Sequence, residues 1–253
     1  LGPNHVPPAG ANWNGGGPDL TNSPFQPAEG AGLKPVDVPR LKLKWAFAFP
    51  GTFIANGQPN IVGGRVFVPS SNRHIYSLDA KSGCQYWSFE AAAPVRTAIT
   101  TGTLRGDKPR HLAFFGDQRG NAYALDAGNG ELLWKVHIDP HPRAKIVGAP
   151  AYYDERLYVP VTAAEEGPAM DPKYECCSAR GALVALDALT GRQIWKTYTI
   201  TEQPVPTRKN SDGTQMWGPS GASIWSAPTI DVERKIIYAG TGDNFSDPST
   251  KMS

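Results

Sequence analysis

One ten-residue pattern recurs three times and constrains this chain more than any other feature. It reads L-D-A-x-x-G-x-x-x-W, from Leu78 to Trp87, from Leu125 to Trp134 and from Leu186 to Trp195. An alternating apolar run leads into each copy: Ile75 and Leu78, Ala122 and Ala124, Val184 and Leu186. An Asp followed four residues later by Gly specifies a tight turn, because Gly accepts φ > 0 without strain. The Trp then falls on the returning strand, so each copy reads as a β-hairpin. A spacing of roughly 40 to 60 residues is in the range of propeller blades.

The rest of the composition agrees with short strands and many turns. The chain has 253 residues with 27 Gly and 24 Pro, and no long stretch has helical periodicity. A formal net charge of +2, with no basic run, gives no reason to expect a nucleic-acid partner. No apolar segment is long enough to span a membrane. The fold class expected is therefore all-β, a β-propeller.

In chain order, residues 1–40 are rich in Pro, Gly and Asn and read as an irregular N-terminal arm. Leu41 to Phe49 alternates with period two, as a half-buried strand does, and Trp45 stands where the motif Trp would, at the end of a blade. Blade one takes 59–62, 65–68, 75–78 and 85–89. Blade two takes 97–101, 111–115, 122–125 and 132–136. Blade three runs from Ile146 to Tyr198, with an insertion over 166–176. A fourth begins at 224–228 and 235–239 and never reaches its own hairpin. About three and a half blades over 41–253 are fewer than the four that closure needs, so the chain is expected to be a fragment of a longer parent. Trp87, Trp134 and Trp195 are expected to be equivalent and packed between blades.

No H-E-x-x-H, C-x-x-C-H, G-x-S-x-G or P-loop occurs, and the five His are not spaced as metal ligands. His137 and His141 flank Asp139-Pro140 and are expected to be solvent-exposed. Cys176-Cys177 is unusual. Neighbouring Cα atoms lie about 3.8 Å apart across a trans peptide, short of the usual disulfide span. Free thiols on a strand are the ordinary expectation, and a bond between neighbours is the alternative.

The hairpin repeats, the Cys-Cys pair and two further runs carry a resemblance. The runs are Trp217 to Asp231 (W-G-P-S-G-A-S-I-W-S-A-P-T-I-D) and Tyr238 to Ser246 (Y-A-G-T-G-D-N-F-S). Together they resemble the pyrroloquinoline quinone (PQQ)-dependent quinoprotein alcohol dehydrogenases, within them the polyvinyl-alcohol dehydrogenase subfamily. The resemblance covers nearly the whole chain from Trp13. It implies an eight-bladed parent propeller holding PQQ and calcium at its centre. Trp225 would lie under the flat quinone. Glu165, with Glu166 second, and Asp243 or Asn244 would be calcium ligands, since oxygen side chains suit a hard cation. The family has Asn at the ligand position where this chain has Asp243. Thr162 would contact the cofactor, and Arg96 would hold its carboxylates through a planar guanidinium. The Cys pair lies one blade later than in methanol-type members, just before Arg180, and Cys176 and Cys177 would reach the cofactor from there.

The function so implied is periplasmic oxidation of an alcohol, a polymer such as polyvinyl alcohol or another secondary alcohol. Hydride passes to the quinone, and the electrons leave to a cytochrome c. The catalytic Asp would lie past Ser253, so the fragment itself is expected to be inactive and poorly soluble. The alternative is a cofactor-free propeller that binds proteins, like the scaffold of outer-membrane assembly. It explains the repeats equally well but gives no reason for Arg96, Glu165, Trp225 and Asp243 all to keep site spacing. The enzyme reading expects these residues to converge at one end of the ring.

Overall fold

Each copy of the repeat folds as a hairpin in the same register. In the computed structural model, which describes residues 12–52, 54–105 and 109–245, the Asp carboxylate curls back over its own turn. Asp79 Oδ1 accepts from the N–H groups of Lys81 and Ser82, Asp126 Oδ1 from those of Gly128 and Asn129, and Asp187 Oδ1 from those of Leu189 and Thr190. Hydrogen bonds from Tyr86 and Ser82 hold the Asp79 carboxyl well below its ordinary range. Gly83, Gly130 and Gly191 close the turns at φ +74°, +78° and +72°, where a side chain would be strained. Across the hairpins Ser77 faces Trp87, Ala124 faces Trp134 and Ala185 faces Trp195, each followed by a register shift at the next residue.

These hairpins complete antiparallel sheets paired in sequence order. The first holds β1 (Asn60–Val62), β2 (Arg65–Pro69), β3 (His74–Asp79) and β4 (Gln85–Glu90). The second holds β5 (Thr100–Leu104), β6 (Arg110–Gly116), β7 (Asn121–Asp126) and β8 (Leu132–His137). In the third, β9 (Ala144–Lys145) pairs with the end of β11 (Arg156–Ala163), which lies between β10 (Ala151–Tyr153) and β12 (Ala182–Asp187), and β13 (Gln193–Tyr198) follows. Two hairpins remain, β14 (Val205–Lys209) with β15 (Gln215–Gly218), and β16 (Thr229–Asp231) with β17 (Ile236–Tyr238). The first strands β5, β10 and β16 lie side by side, so the sheets radiate from a common axis as propeller blades.

The core lies between the blades. Phe67, Ile75 and Trp87 of blade one pack against Val95, Ile99, Phe115 and Tyr123 of blade two. Leu112, Phe114 and Trp134 of blade two pack against Leu157, Val159, Val184 and Leu186 of blade three. Each docked Trp reaches the turn of the next copy. Trp87 Nε1 donates to Ala127 O at 3.2 Å and Trp134 Nε1 to Ala188 O at 3.0 Å. The rings lie so close that a Cβ on Gly130 or Gly191 would stand 2.7 or 2.8 Å from them.

Several expected boundaries are corrected. Residues 41–49 form no sheet, because no neighbouring strand among the described residues offers them a ladder. Their period-two pattern still operates, and Trp45, Phe47 and Phe49 pack on Val66, Val68 and Tyr76. The first strand of blade two is β5, shifted three residues from 97–101. The first strand of blade four is β16 rather than 224–228, because Ile224 is engaged with the end of β11 through Ile224 N–H to Val161 O at 3.1 Å. The hairpin β14–β15 was not anticipated.

The first eleven residues of the expected arm, and Ser246 onward, lie outside the described residues. What is described of the arm crosses the blades. Trp13 pairs with Ile61, the Asn14 amide brackets Thr101 N and O at 2.7 and 2.9 Å, and Leu20 O accepts from Ile230 N at 3.0 Å. No helix among the described residues is long and apolar enough to cross a membrane.

Candidate functional site

Antiparallel pairing places the expected site residues at one end of the blades. The lead-in to a first strand and the exit of a second strand share an end, because the two strands run in opposite directions. Arg96 precedes β5 and Trp225 precedes β16. Thr162 lies at the end of β11 with Glu165 just past it, and Asp243 and Asn244 follow β17. Cys176 and Cys177 lie in the loop that returns β11 to β12, at the same end.

The hub of this end is the segment 220–224. On one side Gly221 N donates to Ala179 O at 2.8 Å, and Ser223 Oγ bonds both Ala163 N and O at 3.0 and 2.9 Å. On the other, Ala222 N donates to Asp243 O at 2.8 Å and Gly242 N to Ser223 O at 2.9 Å. The backbone on either side of Glu165 and the backbone of Asp243 thus flank one segment, which leads directly into Trp225. Glycine is required here. A Cβ on Gly221, whose φ is +94°, would stand 2.5 Å from Asp243 O, and one on Gly181 would stand 2.0 Å from Ala222 O.

Trp225 is not a core residue. It is 60% exposed, and its indole Nε1 lies 3.1 Å from where a Cβ on Gly242 would be. The nitrogen edge of the indole therefore lies against Gly242. Thr162 Oγ1 donates to Ile224 O at 3.0 Å, so its hydroxyl fixes the backbone beside Trp225 and keeps its lone pairs.

Glu165 is fully buried. Tyr174 Oη donates to its Oε1 at 2.9 Å, while the N–H groups of Ser178 and Ala179 donate to its Oε2 at 2.9 and 2.7 Å. Burial, and the hydrogen bond it donates to Glu165, raise the Tyr174 hydroxyl above its ordinary pKa. Arg96, Glu166, Asp243 and Asn244 are exposed, and their side chains make no hydrogen bond or ion pair with a described residue.

No group of three His, Cys, Asp or Glu side chains gathers among the described residues. Two carboxylates and an amide at one end of the blades are chemically suited to an oxygen-preferring cation. The rest of its ligands would come from a bound molecule or solvent. An exposed ring and an unpaired guanidinium at the same end of the blades suit a planar, anionic molecule.

Cys176 and Cys177 are joined by a disulfide across a cis peptide, which corrects the expectation of free thiols. They lie in a loop, where no ladder sends consecutive side chains to opposite faces. The pair is 4% and 0% exposed and is held by Trp217, whose N–H donates to Cys176 O at 2.6 Å and whose carbonyl accepts from Cys177 N at 3.3 Å. Cys84 is a free, exposed thiol. His141 is likewise corrected. It is half-buried, with Nδ1 accepting from Arg143 N at 3.1 Å and Nε2 3.0 Å from Ser178 Oγ. A proline-bounded loop reads as exposed in sequence, but here the 164–181 loop covers it.

Sequence reasoning missed three contributors. Arg180 is one: its guanidinium stands 3.9 Å from the Tyr198 ring centroid and donates to Ile200 O, Glu202 O and Gln203 Oε1. Beside it opens a cavity of ≈ 540 Å³, lined among others by Tyr198, Gln203 and Trp217. Tyr174 is another, and no local pattern marks it. The hairpin β14–β15 is the third. Its Asn210-Ser211-Asp212-Gly213 turn was a legible mark, and its tip meets the insertion through Asn210 Nδ2 to Pro172 O at 2.7 Å.

Known proteins resemble this chain along almost its whole length. The chain is 48% identical over 236 residues to a polyvinylalcohol dehydrogenase of a Pseudomonas species, covering 93% of this chain and 36% of that protein. It is 43% identical over 242 residues to the polyvinylalcohol dehydrogenase of Sphingopyxis sp. (strain 113P3), covering 94% and 36%. The chain thus spans about a third of the length of these relatives. The crystal structure of the quinohemoprotein alcohol dehydrogenase from Comamonas testosteroni shares its fold, with a TM-score of 0.70 at 19% identity over 93% of this chain and 36% of that one. The PQQ glucose/ethanol/alcohol dehydrogenase β-propeller model matches residues 13–250, so the chain belongs to that family.

Proposed function

We propose that the whole protein is a periplasmic quinoprotein alcohol dehydrogenase acting on polyvinyl alcohol or another secondary alcohol, with PQQ and calcium, and passing electrons to cytochrome c. The observation that carries this reading is that Arg96, Glu165, Trp225 and Asp243, far apart in sequence, fall at one end of the blades around the segment 220–224. A cofactor-free scaffold gives no reason for them to gather there. The 48% identity to a polyvinylalcohol dehydrogenase supports the choice of substrate class.

The quinone, when bound, supplies the hydride acceptor; the protein supplies position and field. Trp225 offers a flat apolar floor. Arg96 offers a planar pair of donors to carboxylates. The oxygens of Glu165 and of Asp243 or Asn244 hold calcium. The Thr162 hydroxyl keeps the backbone beside Trp225 in place and presents its lone pairs. The Cys176–Cys177 disulfide and Trp217 stiffen the wall behind.

The test is PQQ binding by the full-length protein in calcium, read by quenching of tryptophan fluorescence. Trp225→Ala and Arg96→Ala are each expected to weaken binding at least about tenfold, as loss of a stacking platform or a charge-assisted pair does. Unchanged PQQ affinity in both variants refutes the site, and absence of PQQ binding by the unmodified protein refutes the function.

A further inference from the structure

The buried Glu165 carboxylate has no cationic partner among the described residues: no ion pair among them includes it, and its three hydrogen bonds all come from the loop that follows it. A buried carboxylate is retained when it is fully hydrogen-bonded or coordinates a metal. Two of the three donors are main-chain N–H groups on Oε2, fixed by the backbone. Oε1 takes a single hydrogen bond, from the Tyr174 hydroxyl. An ionised carboxylate has about four acceptor sites, so Oε1 keeps one open, and the position of the Tyr174 oxygen sets which way that site faces.

Tyr174 is itself held in place. The Arg143 guanidinium stands 5.4 Å from its ring centroid. The Arg143 carbonyl accepts from Ala164 N at 2.9 Å, one residue before Glu165. Arg143 N donates to His141 Nδ1, and the other ring nitrogen of His141 meets Ser178 Oγ. Ser178 N returns the circuit to Glu165. The circuit joins the blade two to blade three connection with the insertion, and every route through it ends on the carboxylate.

We propose that Tyr174 is a positioning residue for Glu165, aiming its open oxygen at a calcium ion. This rests on the reading of Glu165 as a calcium ligand. Without the hydroxyl, Oε1 loses its fixed neighbour and the carboxylate rocks about its Oε2 bonds. Partners that orient a ligand in this way typically change metal affinity by about 10–100-fold when removed.

The experiment titrates calcium calorimetrically into calcium-depleted, PQQ-loaded full-length protein. Tyr174→Phe, with its far-ultraviolet circular dichroism matching the unmodified protein, is expected to bind calcium about 10–100-fold more weakly. Glu165→Gln is expected to lose the site. Arg143→Gln, which keeps the hydroxyl but frees the ring, is expected to weaken binding by a smaller factor and carries the test if Tyr174→Phe does not fold. If Glu165→Gln binds calcium as the unmodified protein does, the ligand assignment itself falls. If Glu165→Gln loses calcium while Tyr174→Phe, or Arg143→Gln in its place, keeps full affinity, only the positioning role falls.

Discussion

Trp134 and Trp195 hold the same register position in adjoining blades and both pack between blades, but only Trp134 has a following copy of the repeat in this sequence to reach. Trp134 is 8% exposed, donates to Ala188 O and lies on Gly191. Trp195 is half-buried, makes no hydrogen bond to a described residue, and packs beside Tyr158, its ring neighbour at 6.0 Å, on the cluster that joins Ala151 and Ala185 of blade three to Ile230 of blade four. Docking is therefore a property of two consecutive copies of the repeat, the ring from one and the D-A-x-x-G turn from the next. Trp45 makes the same point from the other direction. It belongs to no sheet, yet its Nε1 donates to Ala80 O at 3.2 Å and its ring covers Gly83.

The largest expected effect separates these two tryptophans. Trp134→Ala removes a buried ring and its hydrogen bond and is expected to destabilise by about 3–5 kcal/mol. Trp195→Ala removes a half-wet ring and is expected to cost less than about half of that. Equal losses in chemical denaturation would mean that the second ring is docked on something unseen. A smaller effect comes from the turns. Gly191→Ala and Gly213→Ala both force a side chain into left-handed backbone, at about 1 kcal/mol. Only Gly191 adds a collision with an indole, since a Cβ on Gly213, at φ +81°, meets nothing within 4 Å. Gly191→Ala is expected to cost about 1–3 kcal/mol more, and matched melting temperatures would show that Trp134 can move aside.

The smallest effect is a pH dependence at the seam beside Trp134. Asp139 is buried and meets Lys196 Nζ, with further hydrogen bonds from His141 N and Tyr198 Oη. Burial alone would push this carboxyl up. Lys196, His141 and Tyr198 together outweigh it and hold the carboxyl below its ordinary range. Its stabilisation is present above the ordinary carboxylate pKa and is lost as pH falls through the lowered one. Lys196→Met leaves burial unopposed by a charge, so the acid unfolding midpoint is expected to move to higher pH. A midpoint that stays put would mean the pair adds nothing over its hydrogen bonds.

The repeats made the blades legible because each states its own turn chemistry, and the alternation around it states which face is buried. The boundary was less legible at 224–228, where Ile224 hydrogen-bonds to blade three before the chain enters its own, and at 97–101, where the Thr97 hydroxyl meets Gly116 of the same blade outside the ladder. Trp225 was singled out only by the family resemblance of the run Trp217 to Asp231 and not by any local pattern. Tyr174 could not be, because its role exists only where the insertion folds back on Glu165. His141 was misread for the same reason.

The arm carries a consequence for how the chain finds this shape. Each blade closes over short sequence distances and can form as it leaves the ribosome. The Asn22 side chain, however, donates to Pro228 O, 206 residues away. This part of the arm therefore cannot take its place until the blades it crosses exist. Loop closure over such a distance is slow relative to hairpin formation. The rate at which the arm docks, rather than the rate at which blades form, is expected to set the final step of folding.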